Sequence, residues 1–401
     1  MSRYIVILIS LLALLLTSCG RQPEQPQDPL QEAPSREEPS ALPEDWENQA
    51  LWNWKDMWEE PERLELEYAR SFAVDFAEGG YARIVIDQET YLLCPEGLNP
   101  PPDTPEDVTV LRQPVQNIYL QATAAMDCFR KLDAIGAVTL SGTQADGWYI
   151  PEARKAMEDG RMVYAGKYSA PDYELILSSG CGLALESTMI YHNPEVKEQL
   201  ERCGIPVLVE RSSYESHPLG RMEWIKLYGV LLGKMEEAGA YFDRQVEQLA
   251  PVLEQENTGK TVAFFAVNAN GSVTVRKSGD YIARAIDMAG GVYVFQDLTE
   301  EENALSTMNI QMETFYEGAR DADVLIYNSA IDANLTTIEE LVDKSAPLAD
   351  FKAVQSGDVW CTGKSMFQES QGVGDMILDI HAVLTGEGAS EGELRYLHKL
   401  T

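Results

Sequence analysis

The chain reads as an α/β protein of two lobes with mainly parallel sheets, joined by one long α-helix and leaving a cleft between them. Two observations predict this. Pro171-Asp172-Tyr173-Glu174-Leu175-Ile176 precedes the apolar run Leu183-Ala184-Leu185, and far downstream Met312-Glu313-Thr314-Phe315-Tyr316 precedes Val324-Leu325-Ile326-Tyr327. Each reads as a short helix opened by an acid and followed by a buried strand. Between them Ile225, Tyr228, Leu232, Met235, Phe242, Val246 and Leu249 recur at three or four, a stripe that predicts one amphipathic helix from Leu219 to about Leu249, ~45 Å long at 1.5 Å per residue. It lacks the strict heptad of a coiled coil. A strand-and-helix unit repeated on both sides of one rod builds two lobes, and a cleft between lobes suits ligand binding.

The N-terminus comes first in chain order. Arg3 is followed by apolar runs from Tyr4 to Ile9 and from Leu11 to Leu16, too short to span a bilayer comfortably but suited to the core of a secretory signal. The run ends in Leu16-Thr17-Ser18-Cys19-Gly20, which resembles the bacterial lipobox. The resemblance implies a signal peptide over residues 1–19, lipidation of Cys19, and an extracytoplasmic protein lipid-anchored to the bacterial cell membrane. Residues 20–62 follow as a tether and a Trp-rich segment. From Gly20 to about Pro43 the chain is rich in Pro, Gln and Glu, and such a segment cannot bury enough surface to offset its ordering entropy. Trp46, Trp52, Trp54 and Trp58 then fall in a stretch that reads as helical, ending near Pro61. It either packs on the first lobe or offers rings to a planar ligand.

The N-terminal lobe is expected over residues 63–217, the inter-lobe helix over 218–254 and the C-terminal lobe over 255–401. Phe72 to Phe76 and Tyr81 to Asp87 alternate around Gly79-Gly80 and predict a β-hairpin, with a strand at Tyr91-Leu92-Leu93 after it. Strands at Asn117–Leu120, Ala137–Leu140, Leu183–Leu185 and Pro206–Val209 alternate with helices at Thr123–Leu132, Pro151–Glu158, around Glu174, and at Pro194–Arg202. That rhythm implies a mainly parallel sheet covered on both faces. The second lobe reads as strand Thr261–Val267, a turn at Asn270-Gly271, strand Val273–Val275, helix Tyr281–Ala289, the Glu313 helix, strand Val324–Tyr327, helix Ile338–Val342, strand Val359–Cys361 and helix Val373–Leu384. The tail from Ser390 to Leu400 reads as a closing helix.

Composition narrows the function classes. Asp and Glu number 65 against 31 Lys and Arg, a formal net charge of −34, and nucleic acid, bound through clustered cations, is not an expected partner. Five cysteines remain after Cys19 (Cys94, Cys128, Cys181, Cys203 and Cys361) with no CxxC and no zinc-site spacing. His192, His217, His381 and His398 are scattered, so no metal site and no resident cofactor is expected. His217 stands before the presumed rod, either as a residue that opens the helix or within reach of a bound metal. No GxSxG, HExxH, GxGxxG or P-loop occurs, and no catalytic residue is assigned.

Taken in order, the lipobox, the two matched lobe segments, the run Pro218-Leu219-Gly220-Arg221-Met222-Glu223-Trp224-Ile225 and the run Ala319-Arg320-Asp321-Ala322-Asp323-Val324-Leu325-Ile326 resemble the lipid-anchored substrate-binding component of ABC importers for iron complexes (siderophore or haem) and cobalamin. The resemblance spans roughly Val110 to Leu384. It implies a class III periplasmic-binding-protein-like fold, a permease dimer as partner, a small metal chelate as cargo, and a monomeric binding protein that is not an enzyme. It also implies one docking glutamate per lobe, which maps to Glu174 and Glu313. The same placement would complement a helix dipole, worth about 0.3–1 kcal/mol. Alternative readings are cobalamin as cargo and a two-lobed metal chelatase. Ligand contacts are expected on loops after the strands: Trp148, Tyr149, Tyr168, Ser187, Thr188, Arg211 and Tyr214 in the first lobe, and Arg276, Asn328, Lys364 and Phe367 in the second. Aromatic rings supply flat apolar surface and Arg a planar fork for carboxylate or phosphate.

Overall fold

The structure, a computed structural model, describes residues 53–299, 307–330, 334–387 and 394–401, all within one compact unit. The predicted signal peptide, Cys19 and most of the tether lie outside the described residues.

The first element is a five-stranded sheet of β1 (Glu62–Arg63), β2 (Phe72–Phe76), β3 (Ala82–Ile86), β4 (Glu89–Cys94) and β5 (Val108–Arg112), in that order. The predicted hairpin is β2–β3, which pairs Phe72 with Ile86 and Phe76 with Ala82. Trp46 and Trp52 lie outside the described residues, and among the described residues of the Trp-rich stretch a short 3-10 turn at Asp56–Trp58 stands in place of the expected helix. Trp54 and Trp58 meet edge to face at 5.5 Å and pack with Met57, Tyr81 and Leu92 on one face of this sheet. Arg83 lies 4.7 Å over the Trp58 ring. These rings are therefore packing, and the fold starts earlier than residue 63. Asp75 is buried on β2 between Arg63 and Arg83, both at 2.7 Å, and Arg63 beside it holds its carboxyl below the usual carboxylate range.

The first lobe is a parallel sheet ordered β12-β11-β6-β7-β8, comprising β6 (Ile118–Leu120), β7 (Val138–Ser141), β8 (Val163–Tyr164), β11 (Leu183–Ser187) and β12 (Val207–Glu210). A tiny hairpin, β9 (Gly166–Lys167) and β10 (Ala170–Pro171), precedes α3. The helices are α1 (Met126–Lys131), α2 (Pro151–Glu158), α3 (Tyr173–Ser178) and α4 (Pro194–Arg202). Leu183 and Leu185 face the main core, which extends into the connecting helices and the second lobe. Ala184, with Tyr119, Val207 and Val209, faces a separate cluster beneath α3 and α4 with Ile176, Val196 and Leu200.

The connection is not the single rod that the apolar stripe predicts. It is three helices, α5 (Pro218–Glu223), α6 (Ile225–Leu232) and α7 (Met235–Leu253). Gly233 closes α6 at φ +70°, a left-handed geometry natural to glycine at a helix C-terminus. The chain then turns so sharply that a Cβ on Gly229 would sit 2.6 Å from the Ala238 Cβ. The stripe survives the break because α6 and α7 each turn an apolar face to the same core, so period alone cannot reveal it.

The second lobe has a parallel centre with antiparallel flanks, so it is more mixed than predicted. Its order is β16-β14-β13-β17-β18-β19, with β15 also paired to β13. The strands are β13 (Thr261–Val267), β14 (Val273–Arg276), β15 (Val292–Tyr293), β16 (Thr307–Ile310), β17 (Val324–Tyr327), β18 (Val359–Thr362) and β19 (Leu397–Lys399). Helices α8 (Tyr281–Met288), α9 (Met312–Ala319), α10 (Ile338–Lys344), α11 (Lys352–Ser356) and α12 (Val373–Thr385) complete it. The expected closing helix at the C-terminus is instead strand β19, antiparallel to β18 with Trp360 opposite Lys399. Asp379 on α12 anchors it by accepting the Tyr396 and Leu397 N–H groups at 2.6 and 3.1 Å.

Candidate functional site

In the first lobe all five strands run the same way, so the loops after them gather along one edge of the sheet. The loops after β13, β17 and β18 do the same in the second lobe, because those strands are mutually parallel. The expected contact residues divide on these edges according to burial.

Trp148 is withdrawn from the cleft. It is fully buried, its Nε1 donates to Ser141 Oγ at 3.2 Å and its carbonyl accepts from Arg154, so it holds the β7 loop in place. Asn328 is likewise sealed at 2% exposure, and its side-chain carbonyl accepts the Ala330 N–H at 3.2 Å, a local turn bond. Both corrections have one cause: a polar or aromatic residue just after a strand is as useful for tying the loop as for meeting a ligand. Arg276, also buried, lies 5.5 Å from the centroids of both Phe264 and Phe367 and 3.4 Å from Asp280.

The remaining residues reach the surface. Tyr149 and Tyr214 are 42% and 41% exposed. Tyr168 tips the small hairpin, and it, Ser187, Thr188 and Phe367 are half-buried while Lys364 is exposed. Arg211 is half-buried with Nη1 2.6 Å from Asp87, and its guanidinium lies 4.8 Å over the Tyr214 ring. Asp87 belongs to the β3–β4 turn, so the N-terminal sheet stands beside this end of the lobe.

Sequence reasoning missed Tyr164, Met189 and Tyr191, which are 38%, 45% and 47% exposed. Tyr164 ends β8, and Met189 and Tyr191 follow β11. With Tyr149 and Tyr214 they put large apolar groups at the ends of four of the five strands. From β12 to β8 that edge runs ~19 Å at about 4.8 Å per strand. The signal was available, because each is among the first large side chains after its strand.

Beneath α3 lies Glu186, wholly buried on β11, with neither carboxylate oxygen meeting a hydrogen-bond partner. Burial pushes its carboxyl up to about 8. His217 opens α5, its Nδ1 accepting the Leu219 N–H at 3.2 Å, and stacks on Tyr68 at 4.8 Å; burial lowers its basicity. Among the described residues no group of three or more His, Cys, Asp or Glu is arranged to hold a metal ion, and Cys94, Cys128, Cys181, Cys203 and Cys361 are all free thiols. Grooves of about 420 and 780 Å³ lie elsewhere, along Asn53–Glu60 and along Arg63–Ala73, and none of the expected contact residues lines either one.

Glu174 and Glu313 are both exposed and both the second residue of their helix. Asp172 caps α3 by accepting the Leu175 N–H at 3.0 Å. Because α3 and α9 feed back into parallel strands, their N-termini stand on the same edge as the loops.

Chains of solved structure share this arrangement. A periplasmic haem-binding protein from Pseudomonas aeruginosa superposes with a TM-score of 0.53 at 15% identity, over 72% of this chain and 98% of that one. The catecholate-siderophore binding protein VctP and the haem-binding protein HutB, both periplasmic proteins of Vibrio cholerae, each give a TM-score of 0.52, at 13% and 15% identity; they cover 67% and 65% of this chain and 93% and 98% of their own. The chain has the periplasmic binding-protein fold. Within that fold it is the class III arrangement, two α/β lobes joined by helix. By sequence, two uncharacterized lipoproteins of Methanocaldococcus jannaschii are 27% identical over 246 residues and 24% identical over 262. The matches cover 60% and 62% of this chain but only 56% and 64% of those relatives. No family model matches the chain. None of the described helices of this binding-protein fold is long and apolar enough to cross a membrane.

Proposed function

We propose that this protein is the extracytoplasmic receptor of an ABC importer, held to the membrane by lipid on Cys19, and that it binds an iron complex, siderophore or haem, in the cleft between its lobes. The observation that carries this reading is the row of exposed Tyr149, Tyr164, Met189, Tyr191 and Tyr214 along the loop edge of the first lobe. Large apolar side chains left in water at one edge of a sheet mark a surface meant to be covered. Rings supply a flat, adaptable wall for the ligand shell of a metal chelate. The cations nearby are largely committed, Arg211 to Asp87 and Arg276 to Asp280, which favours recognition by shape over recognition by charge. The likeness to haem- and siderophore-binding proteins supports the same class of cargo.

Docking on the permease would use Glu174 and Glu313. Each is exposed at the head of its helix, on the edge from which cargo would be released, and neither α3 nor α9 carries a cation to neutralise it.

The test is a visible-absorbance titration of the purified protein with haemin, a ferric tricatecholate and cyanocobalamin. One of the first two should bind saturably at one per chain. Binding of cyanocobalamin alone would move the cargo to the corrinoids, metal exchange with turnover would indicate a chelatase, and no binding of any of the three would refute the receptor reading.

A further inference from the structure

Tyr214 stands on the loop 211–215, which leads from β12 toward α5 and contains one turn of 3-10 helix, Ser212–Tyr214. One end of the N-terminal sheet grips this loop on both sides of the ring. Ahead of Tyr214, Arg211 Nη1 lies 2.6 Å from Asp87 Oδ2, and the guanidinium lies 4.8 Å over the Tyr214 ring. Behind it, the buried Glu215 carboxylate accepts the Arg70 N–H at 3.0 Å and the Ser71 N–H at 2.8 Å. The two grips are neighbours in the sheet. Phe72 pairs with Ile86 across β2 and β3, so Ser71, just before β2, and Asp87, just after β3, stand at the same end.

Between these holds the loop is tied to itself and to its neighbours. The Ser212 N–H donates to Glu210 Oε1 at 2.9 Å, the Tyr214 N–H to Arg211 O at 2.9 Å, and Arg221 Nη1 to Ser213 O at 3.2 Å. The same sheet end also reaches the next loop along the edge. Glu89, opposite Ile86, meets Lys197 of α4 at 2.8 Å and accepts the Tyr91 hydroxyl, and α4 begins just after the turn Thr188–His192 that carries Met189 and Tyr191. Asp87 opens the Asp87-Gln88 turn at φ +55°, a left-handed geometry that Asn and Gly serve as well as Asp. The turn therefore does not need the carboxylate, whereas the ion pair with Arg211 does. A ring that is 41% exposed keeps rotational freedom unless a neighbour restrains it, and freedom lost on binding weakens affinity. A guanidinium fixed by a charge-assisted bond lays a plane over the ring and removes part of that freedom beforehand.

We propose that Asp87 is a positioning residue of the cargo site: through Arg211 it holds the Tyr214 ring at the β12 end of the exposed row, and the N-terminal sheet is thereby part of what recognises cargo. The ring's role toward cargo rests on the receptor reading above. Its placement by Asp87 does not.

Fluorine NMR of the full chain, with fluorotyrosine encoded at Tyr214 or, as a control at the other end of the row, at Tyr149, reads the placement without cargo. In the wild type the Tyr214 signal should stand apart from its position in the unfolded chain, displaced by the guanidinium over the ring. Asp87→Gly, which suits the left-handed turn, should move that signal toward the unfolded position and leave the Tyr149 signal unchanged. Asp87→Asn, which keeps the turn and the side-chain volume but not the charge, should move it in the same direction. Arg211→Gln should do likewise, and Asp87→Gly with Arg211→Gln should go no further than Arg211→Gln alone, because the two changes cut one chain of contacts. In absorbance titrations with haemin and a ferric tricatecholate, Asp87→Gly should weaken binding of the chelate that the wild type takes up by about 3–10-fold, the range for ordering one side chain on binding. An unchanged Tyr214 signal in both Asp87 variants overturns the placement, and a displaced signal with unchanged affinity overturns its part in the cargo site. A wild type that binds neither chelate refutes the receptor reading instead, and the fluorine signals still decide whether Asp87 places the ring.

Discussion

Glu186→Gln isolates one buried group whose effect on stability can be worked out in sign and size. In the folded protein the carboxyl is wholly buried and meets no donor, and burial raises it from 4.5 to about 8. Between those values the folded chain keeps a proton that the unfolded chain has released, so stability falls as pH rises through this window and levels off above about 8. Each pH unit is worth about 1.4 kcal/mol, so the full window amounts to something on the order of 4–5 kcal/mol. Gln cannot ionise and retains nearly the same volume. Urea denaturation at pH 5, 6, 7 and 8.5 should therefore find the two proteins within about 1 kcal/mol of each other at pH 5, the amide and the neutral acid being similarly costly to bury. At pH 8.5 the variant should be more stable by several kcal/mol. The difference between the two curves removes the contribution of every other acid in this highly charged chain. Parallel curves, with a constant offset from pH 5 to 8.5, would show that Glu186 is not a neutral buried acid.

Other outcomes follow from the same structure. Gly233→Ala should cost about 1–2 kcal/mol in thermal or urea unfolding because a Cβ is disfavoured at its positive φ, and Gly229→Val should cost about 1–3 kcal/mol by pushing α6 off Ala238; a continuous rod would tolerate both. Glu174→Ala with Glu313→Ala should leave cargo affinity unchanged in the absorbance titration yet abolish growth on the cargo as sole iron source, each interfacial ion pair contributing roughly 1.5 kcal/mol or more. Normal uptake by that double variant would exclude these residues from docking. Cys19→Ala should move the protein out of the membrane fraction and end palmitate labelling; continued labelling would locate the lipid elsewhere.

The sequence by itself determined most of the element list. Helices Pro151–Glu158 and Pro194–Arg202 and strands Thr261–Val267 and Val324–Tyr327 occur with the predicted limits, because each combines a clear period with a proline or a run of β-branched residues at its boundary. The two-lobe α/β class followed from their alternation. Tertiary structure decided what periodicity is blind to. An apolar stripe is the same whether one helix or two carry it, so only packing showed that Gly233 breaks the connection and folds α7 against α6. The tail became β19 rather than a helix because β18 offered an unpaired edge and Asp379 offered acceptors to its N–H groups, neither visible locally. The candidate site divided the same way. Placing contacts on loops after strands was sound, since parallel strands bring those loops to one edge, and Tyr149, Arg211 and Tyr214 stand there. Whether a given side chain turns outward depends on what its loop needs to tie itself down. Trp148 and Asn328 were spent on that task while Tyr164, Met189 and Tyr191 were left in water, a choice made by three-dimensional packing and not by residue type.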